Sequence, residues 1–520
     1  MAEGEAAAGK SLRDFDPQKK PKRNKFALAC AILASMTSIL LGYDIGVMSG
    51  AVIYIKRDLK ISDVQIEILS GIMNIYSPIG SYIAGRTSDW IGRRYTIVLA
   101  GLIFFVGAIL MGFSPNYAFL MFGRFVAGVG IGFAFLIAPV YTSEISPTLS
   151  RGFLTSLPEV FLNAGILIGY ISNYTFSKLP LRLGWRLMLG IGAIPSIFLA
   201  VVVLAMPESP RWLVAKGRIG EARKVLNKIS DSKEEAHLRL VDIKHQTGIP
   251  EDCNDEVVQL NNQVQVQGKG VWRELFLHPT PAVRHIFIAS LGIHFFAQAT
   301  GIDAVVLYSP RIFEKAGIKS DTYKLLATVA VGFVKTLSIL LATFLLDGVG
   351  RRVLLLTSVG GLVLSLMTLG ASLTVVDHSH VTWALGLSIA AVLSYVATFS
   401  IGSGPITWVY SSEIFPLRLR AQGVAIGAVV NRLTSGVISM TFLSLSNAIT
   451  IGGAFFLFAG IAVCAWIFHY TLLPETRGKT LEEIEGSFGH FWRKPNAAKE
   501  VNGRNNFINQ VKLSTNADNK

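Results

Sequence analysis

Long apolar blocks dominate this chain and leave it few folds to choose from. Phe26–Ile55, Thr96–Phe113, Tyr117–Tyr141, Trp185–Met206, Ile286–Tyr308, Leu325–Leu346, Val353–Val376, Trp383–Tyr410 and Gly452–Leu473 are nearly free of charge. Each can cross a hydrocarbon core of ~30 Å, which needs ~20 helical residues. Three more polar blocks, Ile66–Gly85, Gly152–Asn173 and Ala421–Leu445, bring the expected spans to about twelve. In lipid every backbone group needs a partner within the protein, so such spans are expected to be helices. The alternating pattern of a membrane β-barrel is missing. Composition agrees, since only 16% of residues are charged, against about 25% in a soluble protein.

A net charge of +14 would suggest nucleic acid in a soluble chain. Here much of the excess sits in tails and inter-helix turns, where it sets orientation instead. Lys19, Lys20, Lys22, Arg23 and Lys25 precede the first span and place both termini in the cytoplasm. Arg93, Arg94, Arg351 and Arg352 fall on that side too, whereas Lys56, Arg57, Lys178 and Arg182 fall outside, so the rule holds on balance. The sequon Asn173-Tyr174-Thr175 would also lie outside and offers a weak independent check. No cleavable leader is expected before the first span. Cys30 and Cys464 lie in spans and Cys253 in a polar loop, so no extracellular disulfide is expected. There is no zinc pattern, P-loop or nucleophile–base constellation, which argues against an enzyme, a metal or an organic cofactor. The glycines of Gly128-Val129-Gly130-Ile131-Gly132 lie inside a span and suit close helix packing.

The polar stretch from Pro207 to Pro281 divides the spans six and six. It reads as short helices plus a linker that is Gln/Asn-rich around Asn261–Gln267. The halves then repeat one another. Asp89-Trp90-Ile91-Gly92-Arg93-Arg94 recurs as Asp347-Gly348-Val349-Gly350-Arg351-Arg352. Ser143-Glu144-Ile145-Ser146-Pro147 with Arg151 recurs as Ser412-Glu413-Ile414-Phe415-Pro416 with Arg420. Pro207-Glu208-Ser209 recurs as Pro474-Glu475-Thr476. Duplicated halves that face one another are how secondary transporters build a site at the membrane midplane.

On these motifs the chain resembles the sugar-porter branch of the major facilitator superfamily from about Phe26 to Gly478. Gly301-Ile302-Asp303-Ala304-Val305-Val306-Leu307-Tyr308-Ser309-Pro310 and Gly332-Phe333-Val334-Lys335-Thr336 are similar to the plant polyol and monosaccharide transporters. The resemblance implies an all-α membrane protein with twelve transmembrane helices in two six-helix halves and cytoplasmic helices between them. The expected organisation is a tail at 1–25, a first bundle at 26–206, a linker at 207–283, a second bundle at 284–473 and a tail at 474–520.

Ionisable side chains inside spans are the most informative residues. Each costs at least ~2.5–3.5 kcal/mol at mid-bilayer, so it is normally paired or lines a wet cavity. Asp44 in the first span and Arg124 in the fourth lie ~18 Å and ~12 Å from their outer ends at ~1.5 Å per residue, so they can meet. Such a pair is either a static rivet or a proton-coupling site, because removing the cation raises the carboxylate's proton affinity. The resemblance favours coupling, since proton-driven sugar porters carry an acid and an arginine at these positions. Asp303 and Lys335 lie ~12 Å and ~16 Å deep by the same count. Lys335 is expected to pair with Asp303, or with Glu159 if the fifth and eighth spans pack together, and Arg432 adds a fourth charge.

Carried over from the resemblance, the ligand site falls on Glu159, Gln298, Asp303, Lys335, Trp408 and Asn431, with Tyr308 nearby. The common hexose pattern has amides at Glu159, Ala297, Asp303 and Lys335. Three charges and a methyl in their place point to a flexible, hydroxyl-rich ligand such as an acyclic polyol. Gly402, Gly404 and Pro405 suggest a hinge near Ser403–Trp408. Asp89, Arg93, Arg94, Glu144 and Arg151 mirror Asp347, Arg351, Arg352, Glu413 and Arg420 as a two-state gate on the cytoplasmic face. The expectation is thus a monomeric plasma-membrane symporter for polyols and monosaccharides, with protons as the coupling ion and the lipid bilayer and small ligands as its only partners. Two alternatives are a passive facilitator of the same fold and a sugar sensor that signals without carrying.

Overall fold

The computed structural model describes residues 24–147, 150–247, 249–250, 275, 279–378, 382–416, 419–476 and 488. Among these the chain forms nineteen helices. The first eight are α1 (Lys25–Ser35), α2 (Thr37–Leu59), α3 (Asp63–Ile91), α4 (Arg93–Gly112), α5 (Tyr117–Ile145), α6 (Arg151–Phe176), α7 (Leu181–Gly190) and α8 (Ala193–Val203). Three short ones follow, α9 (Pro210–Ala215), α10 (Ile219–Ile229) and α11 (Lys233–Gln246). The last eight are α12 (Pro281–Ala299), α13 (Ile302–Lys315), α14 (Asp321–Val349), α15 (Arg351–His378), α16 (Thr382–Ile401), α17 (Ser403–Ile414), α18 (Arg420–Ile449) and α19 (Ile451–Leu472).

Among the described residues, eleven stretches are long and apolar enough to cross a membrane. The 29-residue α3 is the twelfth span; it carries Asp63, Glu67, Arg86 and Asp89 and is correspondingly more polar. All twelve apolar blocks of the sequence coincide with these spans. Four spans consist of two helices in succession: α1–α2, α7–α8, α12–α13 and α16–α17. The break between α12 and α13 falls at Gly301, whose φ of +91° is open to glycine without strain. A Cβ there would also come within 2.8 Å of the Phe458 ring. The hinge expected near Ser403–Trp408 lies slightly earlier: the backbone departs from helix at Gly402, and Ser403 to Ile414 is helical.

Local chemistry sets the helix starts. Ser62 and Gln65 form a reciprocal capping box on α3. Asn116 caps α5 by accepting from the Phe119 N–H at 2.9 Å. Ser209 and Thr280 cap α9 and α12, each followed by proline in the first turn. The glycines of α5 admit neighbours as expected: a Cβ on Gly130 would meet the Phe104 backbone at 2.7 Å.

The two halves meet through α3 against α18, α6 against α14 and α2 against α13. The short helices pack beneath the first half, α9 on α5 and α10 on α1. The Asn24 amide donates to the Lys228 and Ser230 carbonyls, and Arg239 donates to the Glu144 carbonyl at 3.0 Å. Cys253 and Asn261–Gln267 lie outside the described residues. Asn173 is fully buried, and its amide donates to the Gly46 carbonyl at 3.0 Å. The sequon is therefore no glycosylation site, because a helix–helix contact occupies the nitrogen a glycan would need.

Candidate ligand cavity and ion-pair sites

Asp44 and Arg124 do meet. Arg124 Nη1 donates to both carboxylate oxygens at 2.7 and 2.8 Å, and Nε donates to the Leu69 carbonyl at 3.2 Å. The pair is 3% and 1% exposed, so water does little to screen it. Breaking such a pair by removing one partner leaves a buried charge uncompensated, a change on the order of 3–5 kcal/mol. The same arrangement suits either a rivet or a proton switch.

The second group of charges lines one cavity between the halves. Glu159, Gln298, Asp303, Lys335, Trp408 and Asn431 all contribute to its wall, together with Arg432. Within it Gln298 Nε2 and Arg432 Nη2 both donate to Asn431 Oδ1, at 3.2 and 3.0 Å. Asn163 holds Glu159 by donating to its carbonyl at 2.8 Å and its carboxylate at 3.4 Å. Ser435 donates to the Asp303 carboxylate. The expected direct pairing of Lys335 is not formed. Spans five and eight do pack together, yet among the described residues Lys335 has neither an ion pair nor a hydrogen bond. It lines the cavity together with Asp303 and Glu159 without closing on either, which leaves its ammonium donors for a ligand.

Trp408 forms an aromatic wall, with the Phe135 and His294 rings 5.4 and 4.9 Å away in edge geometry. Phe135 also lies under the Arg432 guanidinium at 4.9 Å. The Gln298 Oε1 atom is buried without a partner. Such an orphan acceptor is costly unless a ligand hydroxyl completes it. Tyr308 is not part of the cavity. Its hydroxyl donates to the Ser439 carbonyl at 2.8 Å, and its ring stacks on Phe442 at 5.4 Å. The backbone explains this, because it leaves helical geometry at Tyr308 and turns the ring toward α18.

On the face that carries α9–α11, the duplicated motifs form twin networks, each within one half. Arg93 pairs with Glu144 at 3.1 Å and Asp89 at 3.2 Å, and Arg351 pairs with Glu413 at 3.1 Å. Arg94 donates to the Met206 carbonyl, Arg352 to the Tyr470 carbonyl and Arg420 to the Phe415 carbonyl. The side chains of Arg151 and Asp347 lie outside the described residues.

Sequence reasoning had noted Glu208 and Glu475 as repeats without giving them a role. Glu208 accepts from the Arg93, Arg94 and Ser209 N–H groups at 2.9, 3.2 and 2.8 Å, capping α4. Glu475 accepts from the Arg351, Arg352 and Thr476 N–H groups at 3.0, 3.0 and 3.1 Å, capping α15. Ser209 and Thr476 in turn donate to Glu144 and Glu413. Burial pushes the Glu208 carboxyl above its usual range, against these N–H donors and the Arg93 charge. Gly92 has φ +98°, and a Cβ there would lie 2.4 Å from the Glu208 carboxylate. Glycine is thus needed for both conformation and space.

The opposite face, which the sequence had not singled out, holds the links between halves. Arg57 pairs with Asp321 at 2.7 Å and Arg311 with Asp63 at 3.2 Å. Deeper in, the buried Glu67 carboxylate accepts from the Ser444 N–H at 2.7 Å and its hydroxyl at 2.5 Å. The available signal was a carboxylate inside the apolar block Ile66–Gly85. Among the described residues no cluster of His, Cys, Asp and Glu could hold a metal.

Comparison with known proteins agrees with this architecture. The family described as "Sugar (and other) transporter" matches residues 30–488. Polyol transporter 5 of Arabidopsis thaliana is 67% identical over 504 residues, covering 96% of this chain and 93% of the relative. The glucose transporter GlcP of Staphylococcus epidermidis is 33% identical over 464 residues, 89% of this chain and 97% of that one. A solved structure of the major facilitator proton:xylose symporter XylE, bound to 6-bromo-6-deoxy-D-glucose, superposes with a TM-score of 0.73. It is 25% identical and covers 90% of this chain and all of the other. Twelve apolar helices in two matching halves, a charged cavity between them and these likenesses lead to one conclusion: the chain belongs to the sugar (and other) transporter family and has the major facilitator fold.

Proposed function

We propose that this protein is a proton-coupled symporter of polyols and monosaccharides that works by alternating access. One observation carries the reading: a fully buried Asp44–Arg124 pair lies beside a cavity rich in hydrogen-bonding groups. The polyol transporter and proton:xylose symporter among its relatives support it. The protein is a transporter and not an enzyme.

In this reading the first bundle (26–206) and the second (284–473) rock about the cavity, and 207–283 links them. The face bearing α9–α11 and both tails (1–25 and 474–520) is cytoplasmic, and the membrane is the plasma membrane. The present conformation is closed outside by Arg57–Asp321, Arg311–Asp63 and Glu67–Ser444. The opposite state would part these links and draw the Arg93–Glu144 and Arg351–Glu413 networks together across the cytoplasmic face. Asp44 takes up a proton on the outside and returns it inside when Arg124 re-engages. Each proton moved down ~100 mV adds about 2.3 kcal/mol of drive. Glu159, Gln298, Asp303, Lys335, Trp408 and Asn431 bind the ligand, with charge-assisted bonds to its hydroxyls.

The test is Asp44→Asn in proteoliposomes. Uphill accumulation is expected to disappear while ligand exchange survives, and an unchanged accumulation ratio would overturn the reading.

A further inference from the structure

A second, water-sized chamber lies against the Asp44–Arg124 pair, and Ser70, Asn74 and Asp303 complete its polar wall. Asp303 also lines the larger cavity. Of the ionisable residues around the two spaces, it alone borders both. It stands in the first turn of α13, just past the break at Gly301, on the half-helix that packs against the helix of Asp44. The Asn74 amide has no hydrogen-bond partner among the described residues and lines only the small chamber.

We propose that Asp303 is the coupling residue through which the proton site and the ligand site sense each other. This rests on the symport reading above and adds to it the residue that makes co-transport obligatory. Asp303 faces the small chamber together with Asp44 and the larger cavity together with the ligand-facing groups. Ligand hydroxyls that bond its carboxylate hold the half-helix of α13, which packs against the helix of Asp44. Ligand binding and the opening of the Asp44–Arg124 pair therefore bias one shared element. Release of that pair in turn resets the Asp303 carboxylate in the larger cavity. The coupling is reciprocal, as any such linkage must be.

The surroundings are compatible. Lys335 from α14, Arg432 from α18 and Glu159 from α6 line the larger cavity together with Asp303. Arg124 from α5 stands behind Asp44 in the smaller one. Tyr170 from α6 and Tyr395 from α16 lie within electrostatic reach of Asp303. Their hydroxyls are committed to the Val306 and Thr300 carbonyls at 2.8 and 2.9 Å. Ser435 holds the carboxylate at the boundary between the two spaces.

The experiment reconstitutes the full chain and its Asp44→Asn, Asp303→Asn and Asn74→Leu variants. It uses whichever of sorbitol, xylitol and glucose the wild type accumulates. Ligand counterflow and the protons moved per ligand are measured side by side. Asn74→Leu is expected to keep counterflow within about threefold of wild type while its proton-driven accumulation falls about tenfold, inside the 5–150-fold range of typical couplings. Asp303→Asn loses the same coupling and also weakens counterflow. Wild-type protons per ligand in both variants would overturn the proposal, as would loss of counterflow in Asn74→Leu, which makes the chamber merely structural. If Asp44→Asn loses accumulation while the other two keep it, this proposal fails alone. If Asp44→Asn keeps accumulation, or none of the three ligands is accumulated, the symport reading fails and takes this one with it.

Discussion

At the scale of residues, the candidate ligand cavity combines one apolar plate with polar groups, and the plate is held from behind. In the proposed reading Trp408 offers its indole face to ligand C–H groups; His294 packs edge-on against it with neither ring nitrogen hydrogen-bonded. Trp408→Ala is expected to raise the apparent ligand dissociation constant about tenfold, the equivalent of ~1.4 kcal/mol. Trp408→Phe should recover most of that, and ligand-induced quenching or counterflow titration on purified protein would measure both. Much of this site could be read from the chain, because ionisable residues inside apolar blocks announce themselves. Asp44, Arg124, Glu159, Asp303 and Lys335 were all found in that way. What could not be read was their pairing. Lys335 closes on neither carboxylate of the cavity, and Tyr308 turns away, because a kink about two turns past Gly301 decides where its ring points. His294 gave no signal at all, being one imidazole in an apolar run.

At the scale of elements, the contacts that join the halves are made by α3 with α18, α6 with α14 and α2 with α13. The α3–α18 contact includes a hydrogen-bonded latch, since Glu67 takes two hydrogen bonds from Ser444 that exist only while the halves touch. Hydrogen bonds to a charged group contribute about 1.5–3 kcal/mol. Glu67→Ala should therefore shift the population toward the outward-open state by a factor of about ten or more. A cysteine at Ser70, on the wall of the small chamber, would report it through faster labelling by an impermeant maleimide added outside. An unchanged labelling rate would remove the latch from the gate. The discontinuous spans fit the same picture, because irregular backbone at membrane depth is tolerated where it lines a cavity or is buried in protein. Gly301 and Gly402 mark two such places, one anticipated within a residue or so and the other not.

At the scale of the whole molecule, the duplication extends to the hydrogen-bonding pattern. Glu208 and Glu475 cap the third and ninth spans with the same N–H donors, and each is tied by the hydroxyl of the next residue to the acid that pairs with the motif arginine. Replacing either by glutamine removes the charge from a helix N-terminus and should cost about 1 kcal/mol. The two losses should add in the double variant, because the caps sit in separate halves and their hydrogen bonds go to different residues among those described. Thermal unfolding in detergent would measure this, and clear non-additivity would mean that the halves are coupled on that face.

The sequence by itself determined that the chain lies in a bilayer, that it crosses about twelve times as helices, and that its halves are copies. Those are consequences of local composition and of repeats, which a one-dimensional pattern carries in full. Only the tertiary structure decided which buried charges touch, that Asn173 is locked in a helix contact, that Asp303 borders two spaces, and that Arg57–Asp321 and Arg311–Asp63 join the halves. Each of these depends on side chains from distant parts of the chain, Glu67 and Ser444 being 377 positions apart. Their meeting is set by how helices pack and rotate, and no residue spacing along the chain encodes that.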